Sequence, residues 1–197
     1  IVDSGVDSDL INSFCGIDNR AAGAEAARKL CEAIGDAGEI AIVAHESTTQ
    51  TSIERVEGFS EEIAQNHPNV TIVQTGYSDG EQEISAMVEG MMQQYPQLKG
   101  VFCTNQQVSN ETLAVLETKE TAIKMVGFDY SEEQAEAIAS GLQYGTVSQN
   151  PYSLGYAMIV AAARAAAGMT NDAFVDAGYQ WMDQTNISSE ELAIYRY

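Results

Sequence analysis

Short apolar runs alternate along this chain with longer segments in which apolar residues recur at helical spacing. Residues 40–44 are continuously apolar, as in a strand that is buried on both faces of a parallel sheet. Ile123, Met125, Val126 and Phe128 indicate a second short buried strand, and Asp129 and a polar segment that is typical of a helix start follow it directly. Strand alternates with helix roughly every 25 to 30 residues. The pattern therefore predicts an α/β fold, with a Rossmann-like open parallel sheet and helices on both faces.

The same pattern predicts the individual elements. The predicted strands cover residues 1–3, 14–17, 39–44, 70–74, 100–104, 123–128 and 146–149. The predicted helices cover residues 18–34, 81–95, 108–117, 131–141 and 152–167, with one more that follows the loop 47–52 and ends near residue 66. The end of the chain differs, because residues 173–182 and 192–197 are predicted to be extended without long helices after them.

The charge of the chain excludes several kinds of partner. Its 197 residues carry a formal net charge of −20, with a pI near 4.1. Nucleic acids are bound mainly through basic patches, and anionic membrane surfaces repel acidic proteins, so neither is an expected partner. The longest apolar run, residues 157–163, is far shorter than the ~20 residues that span a bilayer. We therefore expect no direct membrane insertion.

Candidate catalytic and metal-binding residues are scarce. Cys15, Cys31 and Cys103 are widely spaced, which indicates neither a zinc site nor a disulfide framework, and no cofactor is expected. No nucleophile elbow or phosphate-binding loop occurs. His67 precedes a proline at a predicted helix end, where solvent contact or capping is the ordinary role, whereas His45 follows a strand and is a candidate to reach the ligand-binding edge. The chain is therefore predicted not to be an enzyme, and a flavodoxin-like enzyme remains only as an alternative.

Polar side chains follow the predicted strands at one edge of the sheet. Asp3, Asn105, Asp129 and Gln149 each end a strand, and Arg55 lies in the helix after the strand 39–44. Ligands bind at the carboxyl ends of strands in open α/β sheets. Carboxylates, amides and a guanidinium suit a neutral ligand with many hydroxyl groups. Taken singly, the same residues are also typical helix caps, turn residues or a solvated helix charge.

Five stretches in order along the chain resemble one family. They are residues 17–19 with Gly23, 54–59, 100–105, 126–129, and 146–152 with Gly155. The chain resembles the type I periplasmic binding proteins of the ribose-binding-protein-like sugar-binding group and, more distantly, the effector domains of lactose-repressor-type regulators. The resemblance implies that the ligand contacts are Asp3, Arg55, Asn105, Asp129 and Gln149.

The resemblance also implies a division into lobes. Residues 1–17 would be a remnant of the N-terminal lobe, 18–149 the C-terminal lobe, 150–180 a hinge crossing and helix that return to the N-terminal lobe, and 181–197 a crossing and the last strand. Family members carry an additional N-terminal stretch, so we expect one complete lobe and part of a second. Ser4 stands where ribose binders commonly have arginine, and Gln106 where an acidic residue is common. The first departure suggests a ligand of different size or charge.

The implied function is that of a solute-binding protein of an ABC-type sugar transporter. Such a protein holds a monosaccharide or similar small polyol in a cleft between lobes, works outside the cytoplasm, and meets the membrane subunits of a transporter. The alternative is the effector-binding domain of a lactose-repressor-type transcription regulator. The residues upstream of Ile1 would distinguish these two functions. A signal or lipid-attachment segment would indicate a solute-binding protein, and a helix-turn-helix would indicate a transcription regulator.

Overall fold

The computed structural model describes residues 1–79, 82–119 and 121–196. Its strands are β1 (Phe14–Gly16), β2 (Gly38–Ala44), β3 (Val70–Tyr77), β4 (Leu98–Cys103), β5 (Lys124–Phe128), β6 (Gly145–Gln149), β7 (Phe174–Asp176) and β8 (Tyr179–Asp183). Its helices are α1 (Asn19–Ile34), α2 (Gln50–Asn66), α3 (Ile84–Gln94), α4 (Gln106–Lys119), α5 (Glu132–Ser140) and α6 (Pro151–Ala166), and a 3-10 helix covers Glu190–Tyr195.

Two sheets organise these elements. The larger sheet has six strands in the order β3-β2-β4-β5-β6-β8, in which β8 alone is antiparallel to its neighbour. The smaller sheet pairs β1 with β7 in parallel, and Val2 extends it through a bridge to Cys15. The predicted α/β fold with a parallel sheet is confirmed.

Helices cover both faces of the larger sheet. Successive side chains of a strand point to opposite faces, so each strand contributes to an apolar core on either side. Ile40 and Ile42 belong to the apolar core beneath α1 and α2. Ala41 and Val43 belong to a second core, which they share with α3, α4 and part of α5. All four side chains are fully buried, which explains the unbroken apolar run in the sequence.

Local signals in the sequence set several helix ends. The Ser131 side chain accepts a hydrogen bond from Gln134 N, and α5 ends at Gly141 in the left-handed conformation. The Asp18 carboxylate caps α1 in the same way, and Gly35 ends that helix. The predicted boundaries of these two helices are confirmed to within one or two residues.

Other boundaries were wrong or incomplete. β3 runs three residues beyond its predicted end, and α4 starts two residues before its predicted start. The extended segment 173–182 is two strands in different sheets, separated at Gly178 by a backbone φ of 75°. Residues 192–195, predicted to be extended, belong to the 3-10 helix. The predicted helix start at Glu81 and the predicted chain end at Tyr197 lie outside the described residues.

Candidate functional site

The carboxyl ends of the larger sheet's strands border an open cleft of about 340 Å³. This volume falls at the lower end of the 300–1,000 Å³ that is usual for small-molecule sites. The cleft is lined by Asp3, Ser4, His45, Glu46, Thr49, Thr51, Arg55, Ser78, Asn105, Gln107, Asp129 and Gln149. All five residues that the sequence analysis selected are therefore brought to one cleft.

Asp129 lies at the centre of this edge, on the turn between β5 and α5. Its backbone is left-handed, with a φ of 64°, and its N–H donates to the Val147 carbonyl at 2.8 Å. Its carboxylate accepts hydrogen bonds from Gln149 Nε2 at 2.7 Å and from Gln106 N at 3.2 Å. These bonds hold the carboxylate in one position and join the ends of three neighbouring strands.

Arg55 is the most deeply buried charge of the cleft, with 3% of its surface exposed. Its Nε donates to Asn19 Oδ1 at 2.9 Å, and its Nη1 donates to the Thr104 carbonyl at 2.7 Å. The guanidinium carbon lies 3.7 Å from the ring centroid of Phe128, a cation–π contact. The interpretation of Arg55 as a solvated helix charge is therefore wrong, because the side chain is fixed from several sides.

Asn105 and Asp3 reach the cleft from two other segments. The Asn105 side chain accepts from Val108 N at 2.9 Å, so it caps the first turn of α4 while it also borders the cleft. Asp3 follows the bridge between Val2 and Cys15, has a left-handed φ of 66°, and is exposed. The carboxylate of Asp3 thus faces the cleft from the smaller sheet.

His45 is a neutral member of the cleft wall. Its Nδ1 lies 2.7 Å from Thr104 Oγ1, and its Nε2 lies 3.2 Å from Thr51 Oγ1. Burial, assisted by the positive charge of Arg55, lowers the pKa of His45 to about 4, although Asp129 opposes the shift. The imidazole is therefore uncharged at neutral pH and contributes hydrogen bonds to the wall. His67 lies elsewhere, where the end of α2 meets Asp36.

The sequence analysis missed several residues of the wall. They are Glu46, Thr49, Thr51, Ser78 and Gln107. Glu46, Thr49 and Thr51 come from the segment after β2. The sequence predicts a loop there, at residues 47–52, but its pattern does not mark these side chains as ligand contacts. The available signal was its position, because that segment follows a buried strand in the same way as Asn105 and Asp129 do.

The formal charges of the cleft are unbalanced. Asp3, Glu46 and Asp129 bring carboxylates, and Arg55 brings the single cationic side chain of the lining residues. His45 adds no charge, since its pKa is about 4. The wall offers hydroxyl, amide and carboxylate groups, which together accept and donate many hydrogen bonds. Such a surface favours a neutral polar molecule over an anion.

Comparison with known proteins identifies the class of protein that has this fold and cleft. The family described as "Periplasmic binding protein domain" matches residues 1–170. The match covers most of the chain, which therefore belongs to this family. The relatives described below are named as binding proteins of import and transport systems, not as enzymes.

Particular relatives are similar over most of this chain. The ribose import binding protein RbsB of Haemophilus influenzae is 24% identical over 161 residues, which are 82% of this chain and 55% of the relative. RbsB of Escherichia coli strain K12 is 24% identical over 139 residues, 70% of this chain and 47% of the relative. The chain thus spans about half the length of these curated relatives.

One solved structure shares both the fold and a quarter of the sequence. It is a carbohydrate transporter solute binding protein from Agrobacterium radiobacter in complex with D-arabinose, with a TM-score of 0.93 and 25% identity. The match covers 100% of this chain and 69% of that protein. An ABC transporter solute binding protein from Agrobacterium vitis, bound with α-D-tagatopyranose, also has a TM-score of 0.93 at 25% identity, over 100% and 70% of the two chains.

Membrane-spanning helices were also sought. Within residues 1–79, 82–119 and 121–196, every helix is too short or too polar to cross a bilayer.

Proposed function

We propose that this protein is a solute-binding component of an ABC-type sugar import system. Its ligand would be a monosaccharide or similar small polyol, bound in the cleft at the carboxyl ends of the strands. The observation that carries the proposal is the convergence of Asp3, Arg55, Asn105, Asp129 and Gln149 on that single cleft. The bound sugars named for the Agrobacterium relatives support the same ligand class.

The ligand is a neutral sugar rather than a sugar acid or sugar phosphate. The lining carboxylates of Asp3, Glu46 and Asp129 would repel an anion, and each of them accepts hydrogen bonds from ligand hydroxyl groups. Arg55 is held by Asn19 and by the Thr104 carbonyl, in a geometry that does not depend on a ligand carboxylate. A neutral polyol uses both the acceptors and the donors of the wall.

The two sheets are the basis of a two-lobe mechanism. In this proposal residues 18–149 form one lobe, residues 1–17 and 150–180 belong with the other, and residues 181–197 make the final crossing and the last strand. The chain passes between the sheets at three places: between β1 and α1, between β6 and α6, and between β7 and β8. β8 begins at Tyr179, close to the boundary at residues 180–181 that the resemblance implies. Rotation about these crossings would close the lobes over a ligand.

The closed form would be the state that membrane subunits of a transporter recognise, outside the cytoplasm. The names of the relatives, which are import and transporter binding proteins, support this partner and location. They favour a binder over the effector domain of a transcription regulator.

A ligand panel tests the proposal. Full-length protein is heated with pentoses, hexoses, polyols and uronic acids, and each hit is titrated by calorimetry. At a ligand concentration 100-fold above Kd, binding stabilises the folded state by about 2.7 kcal/mol and raises Tm. We expect a rise with at least one neutral sugar and none with its uronic acid. The proposal fails if the neutral sugars leave Tm unchanged, or if anionic sugars bind as tightly as neutral ones.

A further inference from the structure

A second group of ligating side chains lies at the opposite edge of the larger sheet from the cleft. Cys31 is in the last turn of α1, Asp36 is in the turn that leads to β2, and His67 follows the last residue of α2. Their thiol, carboxylate and imidazole ligand atoms all lie within 4.8 Å of one another. We propose that Cys31, Asp36 and His67 form a Zn²⁺-binding site that ties the ends of α1 and α2 together.

The set of donors suits zinc. Sulfur, nitrogen and carboxylate oxygen are the ligand atoms that Zn²⁺ takes from proteins, with bonds of about 2.3, 2.0 and 2.1 Å. In a tetrahedral site with those bonds, neighbouring ligand atoms are about 3.5 Å apart. The largest observed spacing, 4.8 Å, exceeds this value by roughly 1.3 Å, a change that side-chain rotation can supply. A thiolate in the set disfavours Mg²⁺ and Ca²⁺, which prefer oxygen ligands.

The surroundings of the His67 ring support a metal over a simple helix cap. Its Nδ1 lies 2.5 Å from Asp36 Oδ1, and its Nε2 lies 3.6 Å from Glu62 Oε1. Nε2 is buried and has no hydrogen-bond partner within the part of the chain that the structure describes. A zinc-bound histidine commonly places one nitrogen on the metal and the other on a carboxylate, and here each ring nitrogen has a carboxylate close by.

Glu62 lies next to the three proposed ligands, and the site is accessible to solvent on the Asp36 side. Glu62 accepts from Arg28 Nη1 and from Asn66 Nδ2, both at 3.0 Å, so it is already oriented next to the imidazole. It supplies either the fourth ligand or the outer hydrogen bond to the ring. The Asp36 side chain is 56% exposed, whereas Cys31 is fully buried, so a metal enters from the carboxylate side. On coordination the Cys31 thiol releases its proton to solvent.

Zinc titration of the full-length reduced protein tests this site without any sugar. We expect one zinc per chain by equilibrium dialysis, and a Tm that is about 5–10 °C higher at zinc concentrations 100-fold above Kd. EDTA should reverse the change, and MgCl₂ should not produce it. Co²⁺ should give a thiolate-to-metal charge-transfer absorption.

Matched variants assign the ligands. Asp36→Gly suits the left-handed backbone at this position, whose φ is 54°, and is expected to fold normally but to lose most of the zinc-dependent rise in Tm. His67→Gln should lose it too, and Cys31→Ala should also lose the Co²⁺ absorption. Cys15→Ala, which removes a buried cysteine of the smaller sheet, should keep both signals. Zinc binding that survives Asp36→Gly and His67→Gln, or wild-type protein that takes up no zinc, would overturn the proposal.

Discussion

The Asp129 carboxylate provides the sharpest test of the cleft, and Asp129→Asn is the informative substitution. Asparagine has nearly the same shape and tolerates the left-handed backbone, whose φ here is 64°. The change removes the negative charge and one acceptor oxygen. It also replaces one of the two oxygens that now accept from Gln149 Nε2 and Gln106 N with an N–H donor.

The magnitude follows from these bonds. A hydrogen bond to a charged group contributes about 1.5–3 kcal/mol. Without the carboxylate, the ligand hydroxyl groups no longer donate to a charged oxygen. Sugar binding should therefore weaken by about 2 kcal/mol, or roughly 30-fold in Kd. Asp129→Ala should bind at least as weakly. It should also be less stable by roughly 1–2 kcal/mol, since alanine is strained at a positive φ.

Calorimetry with the sugar identified in the panel measures this effect, and urea unfolding checks the fold. Asp79→Asn is the matched control. The Asp79 carboxylate also accepts a backbone N–H and a side-chain donor, both from Ser47, but it does not line the cleft. The control should bind within threefold of wild type. An Asp129→Asn protein with an unchanged Kd would refute the assignment of Asp129 as a ligand contact.

Three further outcomes are expected. Gly23→Ala places a Cβ 2.2 Å from a carbonyl oxygen of α2 and should lower the free energy of unfolding by about 1–3 kcal/mol in urea, whereas Gly90→Ala, which meets nothing within 4 Å, should not. Because the pKa of His45 is lowered from 6.5 to about 4, the unfolded state binds more protons between these values. The free energy of unfolding should therefore fall as the pH drops from 6.5 to about 4. The fall should be smaller in the His45→Gln variant. The 197-residue chain should self-associate in light scattering through exposed α6 side chains, and Tyr156→Glu with Ile159→Lys should reduce this.

The strand-end residues of the cleft could be predicted because the signal is local. Asn105, Asp129 and Gln149 each come at or just after the end of a predicted strand, and parallel strands deliver such positions to one edge. Arg55 was different. Its chemistry and the family resemblance made it a candidate, but nothing in the spacing of α2 indicates that a charged residue is buried against Phe128.

The end of the chain could not be predicted, because its conformation depends on distant partners. The apolar run 192–195 resembles a strand, yet the Ser148 hydroxyl donates to the Tyr195 carbonyl and Arg196 donates to the Ile187 carbonyl. These bonds fix a helical turn against β6. Likewise, nothing in the local sequence indicates that the chain passes from one sheet to the other at Gly178.

The close packing of α1 on α2 connects the cleft to the proposed zinc site. A Cβ at Gly23 would meet the Arg55 carbonyl, and a Cβ at Gly58 would lie 2.1 Å from the Arg20 carbonyl, so both glycines are needed for the two helices to approach. The start of this pair holds the Arg55 guanidinium through Asn19, and its far end brings Cys31 to His67. A metal that clamps the far end would therefore resist separation of the same helices that orient the cleft's guanidinium. Zinc should then stabilise the lobe without contacting the sugar.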